Sequence, residues 1–149
     1  MSHMPGDYLS AEQIRVLMLP INPNRVKILD GMSHVEAFDI RATLTRVFGF
    51  GRWSEESYQP PELLYAVDTT TRAGKPAVKV AYVAHRRLTI RTPNGSPLCV
   101  FEASAVGESL MPDFKRGDAY DMAIKSSESQ ALKRCAINMG TQVGLSLYD

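Results

Sequence analysis

The residues of this 149-residue chain whose types and spacing could do chemistry are its lysines and arginines. Between residues 69 and 101 there is no Asp or Glu, yet Arg72, Lys75, Lys79, Arg86, Arg87 and Arg91 all fall there. Lys133 and Arg134 form a second basic pair. Such side chains bind phosphate, arginine through a planar fork of donors and lysine as a compact charge. With Tyr65 and Tyr82 nearby, they suit a single-stranded nucleic acid, whose bases stack on aromatic rings. The plainer reading is the solvated outer face of a half-buried antiparallel sheet. The net charge of +1 weighs against a nucleic-acid binder, although a neutral chain can still carry one basic face.

Other chemistry finds less support. The chain has no GxSxG, no P-loop and no HExxH. His34 and His85 lack ligand-like spacing, and Cys99 and Cys135 belong to no CxxC pair, so no metal site is expected. The two thiols read as small buried hydrophobes. Ser126, Ser127 and Ser129 read as polar positions of a helix, with no base to activate them. Asp118 and Asp121 read as acidic residues at a helix N-terminus. No catalytic residue and no cofactor is expected. Nor is a membrane span, and a cytoplasmic location is expected, at the nucleoid in a prokaryote.

One globular domain must position these residues, because 44% of the chain is hydrophobic and 22% charged. Residues 1–4 (MSHM) read as a cloning scar and residues 5–24 as an N-terminal segment, leaving 25–149 as the domain. Ser10 and Gln13 have capping-box spacing before a short helix with Ile14, Leu17 and Met18, which Pro20 and Pro23 end. Residues 25–29 predict a strand closed by Asp30-Gly31. Ser33 and Glu36 predict a second capping box, opening a helix to about Phe48 with Ala37, Ile40, Leu44, Val47 and Phe48 on one face. Gly49 and Gly51 break it. Residues 53–58 start a strand that Pro60-Pro61 interrupts, and 63–67 resume it at an edge.

Residues 78–91 alternate. Even positions are mostly apolar and odd positions carry most of the positive charge, with Arg86 breaking the apolar face at a bend or an interface. Asn94-Gly95 predicts a hairpin turn, and 98–106 the returning strand. Residues 107–117 read as a loop. Asp118 then caps a helix over 119–139 with Tyr120, Ile124, Ala131, Cys135 and Met139 as its stripe, ended by Gly140. The fold class is α+β: an antiparallel meander packed against a long helix, with an N-terminal helix.

Residues 35–149 resemble the annealing domain of the Rad52 family of recombination proteins. Three segments carry the resemblance: the helix ending in residues 48–53 (FGFGRW), the strands around Asn94-Gly95, and residues 123–135 (AIKSSESQALKRC) followed by Met139-Gly140 and Gly144. The strand over 25–29 before Gly31 is similar to the family's opening strand. The resemblance implies units packed side by side in an oligomeric ring, with a basic groove round the outside. There one DNA strand lies phosphates inward and bases exposed, and complementary strands anneal in homologous recombination and double-strand break repair. No ATP or metal is consumed.

Lys133 and Arg134 match the basic pair of the groove floor, and Arg87 the family's basic sheet position. Lys79, Arg41, Arg46 and Lys125 complete the inner candidates. Lys75, Lys115 and Arg116 lie near an outer, second-strand site, with Arg86 and Arg91 beside them. The chain departs from the family at Ile137 and near Asp39, where relatives carry arginine, and at Phe50, where they carry Tyr. A single-strand-binding protein or a recombinase is the implied partner, and a partner-binding tail beyond Asp149 is a family feature. The competing readings are a non-enzymatic oligomeric scaffold that binds protein, and an enzyme acting on nucleic acid.

Overall fold

The computed structural model describes residues 9–147, so the expected scar at residues 1–4 and the chain end at Asp149 lie outside the described residues. The elements run α1 (Ala11–Leu17), β1 (Val26–Leu29), β2 (Met32–Val35), α2 (Ala37–Phe48), β3 (Trp53–Thr70), β4 (Pro76–Arg91), β5 (Pro97–Pro112) and α3 (Arg116–Ala136). Short 3-10 turns follow α3. The architecture is α+β, with β3, β4 and β5 forming an antiparallel sheet in that order.

The alternation along β4 governs the packing. Its even positions Val78, Val80, Ala84, Leu88 and Ile90 are buried, in clusters shared with Ala119, Ala123, Ala131, Leu132 and Cys135 of α3. Its odd positions face the other way. The helix can come close because both surfaces are small. Ala103, Ala105 and Gly107 of β5 are paired with helix-facing β4 residues, and Ala119, Ala123, Ser127 and Ala131 lie buried on α3. A Cβ on Gly107 would overlap the backbone nitrogen of Ser127 and lie 2.6 Å from the Ala123 carbonyl oxygen. Gly107 is therefore a strand residue at a point of backbone contact, and the expected loop over 107–117 is instead strand to Pro112, a 3-10 turn over Asp113–Lys115 and the start of α3. The buried stripe holds the expected Ala131, Cys135 and Met139 but is shifted in the first half of the helix. Tyr120 and Ile124 are only half-buried, while Ser127 is fully buried and donates to the Ile124 carbonyl at 2.7 Å.

Three local expectations are corrected. Ser33 does not cap a helix: it pairs with Ile28 in the β1–β2 hairpin, whose turn Asp30-Gly31 has φ of 52° and 75°. Helix α2 opens at Glu36 without a side-chain cap, and α3 opens at Lys115, so Asp118 sits in its first turn rather than at the cap. Pro60-Pro61 does not break β3. Register shifts around Gln59 and Glu62 absorb the prolines, which an edge strand tolerates because its outward N–H groups need no partner. The capping box at Ser10 forms as expected, with bonds of 2.9 and 3.0 Å to Gln13.

A half-buried clamp ties the ends of the chain to α2. Arg25 donates to Asp39 at 2.7 and 2.9 Å, to Thr43 at 2.8 Å, and to the carbonyl and side-chain oxygens of Gln142 at 2.7 and 2.6 Å. Gln142 in turn donates to the carbonyls of Leu19 and Pro20. Asp39 thus serves as the anchor of an internal ion pair.

Candidate nucleic-acid interface

The strand with no acids in its own sequence gets them from its neighbours. On the face away from α3, Glu56 of β3 and Glu102 of β5 are both in register with Arg87. They sit 3.7 and 3.1 Å from its guanidinium, which also lies 5.7 Å from the centre of the Tyr58 ring. Lys79 is 3.3 Å from Glu108, whose carboxylate also accepts from Tyr65. Those two bonds hold the Glu108 pKa below its ordinary value, Tyr65 contributing most.

Arg86 faces α3, as its even position requires. Its side chain is only 14% exposed, 3.5 Å from Glu55 and 3.6 Å from Glu128 of α3, and it donates to Ser57 at 2.9 Å. Glu55 also takes Arg41 of α2 at 2.6 Å. Arg41 and Arg86 therefore join α2, β3, β4 and α3 from within. Both residues, expected to touch DNA, are engaged in ion pairs within the protomer.

Lys133 and Arg134 differ. They stand on the last turns of α3, lining a surface hollow of about 200 Å³ with Gln130 and Ile137. Among the described residues neither has a carboxylate at ion-pairing distance. Arg134 is exposed and donates one N–H to the Ser104 carbonyl of β5 at 2.6 Å. Lys133 is half-buried. Burial pulls its amine below the ordinary lysine range, and Glu36 only partly offsets this from longer range.

The remaining candidates are dispersed. Lys125 pairs with Asp121 at 2.7 Å, which raises its pKa. Arg46 lines a separate hollow on α2 with Glu12, Gln13, Val16 and Val47. Arg91 donates to the Gly95 carbonyl. Arg116 is held by Asp68 and Asp113. Lys75 and Lys115 lie at the opposite end of α3 from Lys133, beside Phe114. The inner candidates therefore do not form one track within a single protomer: Arg87 and Lys79 lie on the sheet face away from α3, which carries Lys133.

Two features escaped the sequence. Phe50, between the positive-φ glycines 49 and 51, is 92% exposed, so an aromatic ring stands in water at the α2–β3 turn. His85 joins a polar line across the sheet: its Nδ1 is 2.7 Å from Ser104 Oγ and its Nε2 is 3.1 Å from Glu62, while Tyr58 OH is 3.3 Å from the same Ser104 oxygen. A serine, an imidazole and a carboxylate are thus brought together where no nucleophile–base pair was expected. Tyr58 donating to Ser104, Ser104 to Nδ1, and Nε2–H to Glu62 would satisfy every member and knit three strands. Cys135 is buried and its thiol is pushed up to about 11, which fits the expected inert hydrophobe.

Among the described residues no group of three or more His, Cys, Asp or Glu could hold a metal ion, and no helix is long and apolar enough to cross a membrane. The family model described as "Rad52/22 family double-strand break repair protein" matches residues 19–149. No curated protein matches the chain.

Proposed function

Because the chain belongs to the Rad52/22 family of double-strand break repair proteins, we propose that it binds single-stranded DNA through Lys133 and Arg134 and anneals complementary strands as a homo-oligomeric ring. The observation that carries this reading is that these two cations, side by side at one end of a long anchored helix, have no carboxylate at ion-pairing distance among the described residues. A phosphate would supply the missing anion. It would also relieve the desolvated amine of Lys133.

Annealing needs no bond chemistry and no ATP. It requires that phosphate repulsion be screened while bases stay free to pair. Each phosphate neutralised releases a counterion, so affinity falls with salt by a slope of about 0.7 per contact on a single strand. One protomer offers few contacts, and a closed head-to-tail assembly repeats them in register. The β1–β2 hairpin supports assembly, since Ile28, Leu29 and Met32 are largely exposed there. Exposed Phe50 supports a stacking contact with a base. Lys75 and Lys115 remain candidates for a second strand.

The test is an annealing assay with complementary oligonucleotides and no nucleotide cofactor, run beside a measurement of assembly size. Annealing by a multimer, lost in the Lys133→Ala/Arg134→Ala variant with assembly kept, supports the reading. A protein that assembles but fails to retard a labelled oligonucleotide is the protein-binding scaffold instead. The Ser104–His85–Glu62 line favours an enzyme as a further reading. Strand cleavage that disappears in Ser104→Ala would establish it.

A further inference from the structure

The chain has six lysines, and burial and pairing set one of them apart. Lys27, Lys75, Lys115 and Lys125 are exposed. Lys79 is half-buried but lies 3.3 Å from Glu108. Lys133 is half-buried and lines a hollow of about 200 Å³ with Gln130, Arg134 and Ile137. Among the described residues it has no carboxylate at ion-pairing distance. Arg134 shares the hollow and is anchored by one N–H to the Ser104 carbonyl at 2.6 Å. A lysine amine becomes a nucleophile toward carbonyl carbon when loss of water favours its neutral form. Lys133 meets that condition in part: burial holds its amine below the ordinary lysine range, and Glu36 offsets this only partly.

A nucleophilic amine against a DNA strand needs an electrophile that the strand can carry. Intact nucleotides offer no aldehyde. A residue that has lost its base opens to one at C1′, and with no base attached its sugar is free to turn into the hollow. We propose that Lys133 captures abasic residues of a bound single strand as a Schiff base. Its unprotonated Nζ attacks C1′, the carbonyl electron pair moves onto oxygen, and a proton passes from nitrogen to that oxygen. The carbinolamine then expels water and leaves a C1′=Nζ double bond. Hydrolysis returns the amine and the aldehyde, so no oxidant or reductant is consumed. Arg134 keeps the rest of its guanidinium fork for the phosphate beside that sugar. The inference rests on the reading that the chain binds single-stranded DNA at this pair, and it adds covalent chemistry there.

The experiment incubates the full chain with a labelled oligonucleotide carrying a central abasic residue, then adds sodium cyanoborohydride, whose hydride fixes the imine as a secondary amine. A stable protein–DNA adduct should form with this strand. None should form with the intact strand, or with one whose abasic sugar is already reduced to the alcohol. Peptide mass mapping of the wild-type adduct should place it on Lys133. Lys125, about 12 Å back along α3 at 1.5 Å per residue, is an internal control, because Asp121 favours its protonated form. Lys133→Arg keeps the charge but has no amine that forms an imine. At strand-saturating protein its adduct yield should fall about tenfold or more, while retardation of the intact strand persists.

An adduct mapped chiefly to other lysines or to the N-terminal amine would overturn the inference, as would undiminished trapping in Lys133→Arg. Mapping is done on the wild type, so it decides even where Lys133→Arg fails to fold. If the wild type retards the intact strand and the abasic strand yet gives no adduct, only this inference fails. If it retards neither, the DNA-binding reading fails with it.

Discussion

Arg86 and Arg87 are neighbours on a strand, and Lys133 and Arg134 are neighbours on a helix. On the strand, consecutive side chains point to opposite faces, and each arginine meets two carboxylates brought alongside by other elements. On the helix, consecutive side chains diverge by about 100°, and these two look outward from the last turns, where no described carboxylate reaches them. Equal charge in sequence thus becomes a cancelled charge in one place and an available one in the other. Positive potential depends on what the register delivers, and the sheet delivers glutamates.

The sharpest way to break this contrast is to remove a member of the cancelled pair. Arg86→Ala leaves Glu128 without its cation and a gap where four elements meet, so unfolding free energy should fall by about 3 kcal/mol, as for a broken buried ion pair. Chemical denaturation measures this, and the folded variant should bind a labelled single strand as the wild type does. A clear loss of affinity without loss of stability would return Arg86 to the DNA site.

Next in size is the available pair. Lys133→Ala/Arg134→Ala should lower single-strand affinity at least about tenfold at low salt, and make the salt slope shallower by about 1.4. The fold should survive, because neither residue holds a described ion pair. Unchanged affinity at moderate salt would remove both residues from the site.

A smaller effect tests the cancelled face directly. Glu56→Gln/Glu102→Gln would release Arg87 on a half-exposed surface, and affinity should rise about threefold if the DNA path crosses that face. No gain would confine the path to the helix.

The smallest effect is on pH. Burial holds the Lys133 amine below its unfolded value, so between the two the native state binds fewer protons and stability rises with pH. The destabilising contribution is full below the folded pKa and vanishes above the unfolded one. Lys133→Ala should flatten this part of a pH–stability curve. Single-strand affinity should fall through the same window as the cation is lost.

Much of the fold was legible because its signals are local. Period-2 alternation marked β4, Asn94-Gly95 marked its turn, and a helical face ending at two glycines marked α2. What failed depended on distant partners. The Ser33–Glu36 spacing fits a capping box, but Asp30-Gly31 folds Ser33 back onto Ile28 first. Gly107 looks like a loop residue until the helix that needs it is in place. The stripe of α3 was misplaced in its first half, where the buried residues are Ala119, Ala123 and Ser127, which carry little hydrophobic signal, while Ala131, Cys135 and Met139 are buried as expected. The site was half legible. The resemblance named Lys133 and Arg134, but nothing local shows that Glu102 will sit across from Arg87, or that Arg25 will find Gln142.

Gly107 also bears on how the cationic end of α3 behaves over time. With no Cβ at that point, the helix backbone lies directly against β5, and amides near residues 123–127 are shielded by the sheet below. Their hydrogen exchange should be among the slowest in the chain. A helix seated in this way cannot slide or roll without backbone collision. It acts as a fixed strut, so a strand bound as proposed would meet charges already in position and little chain entropy would be lost on contact.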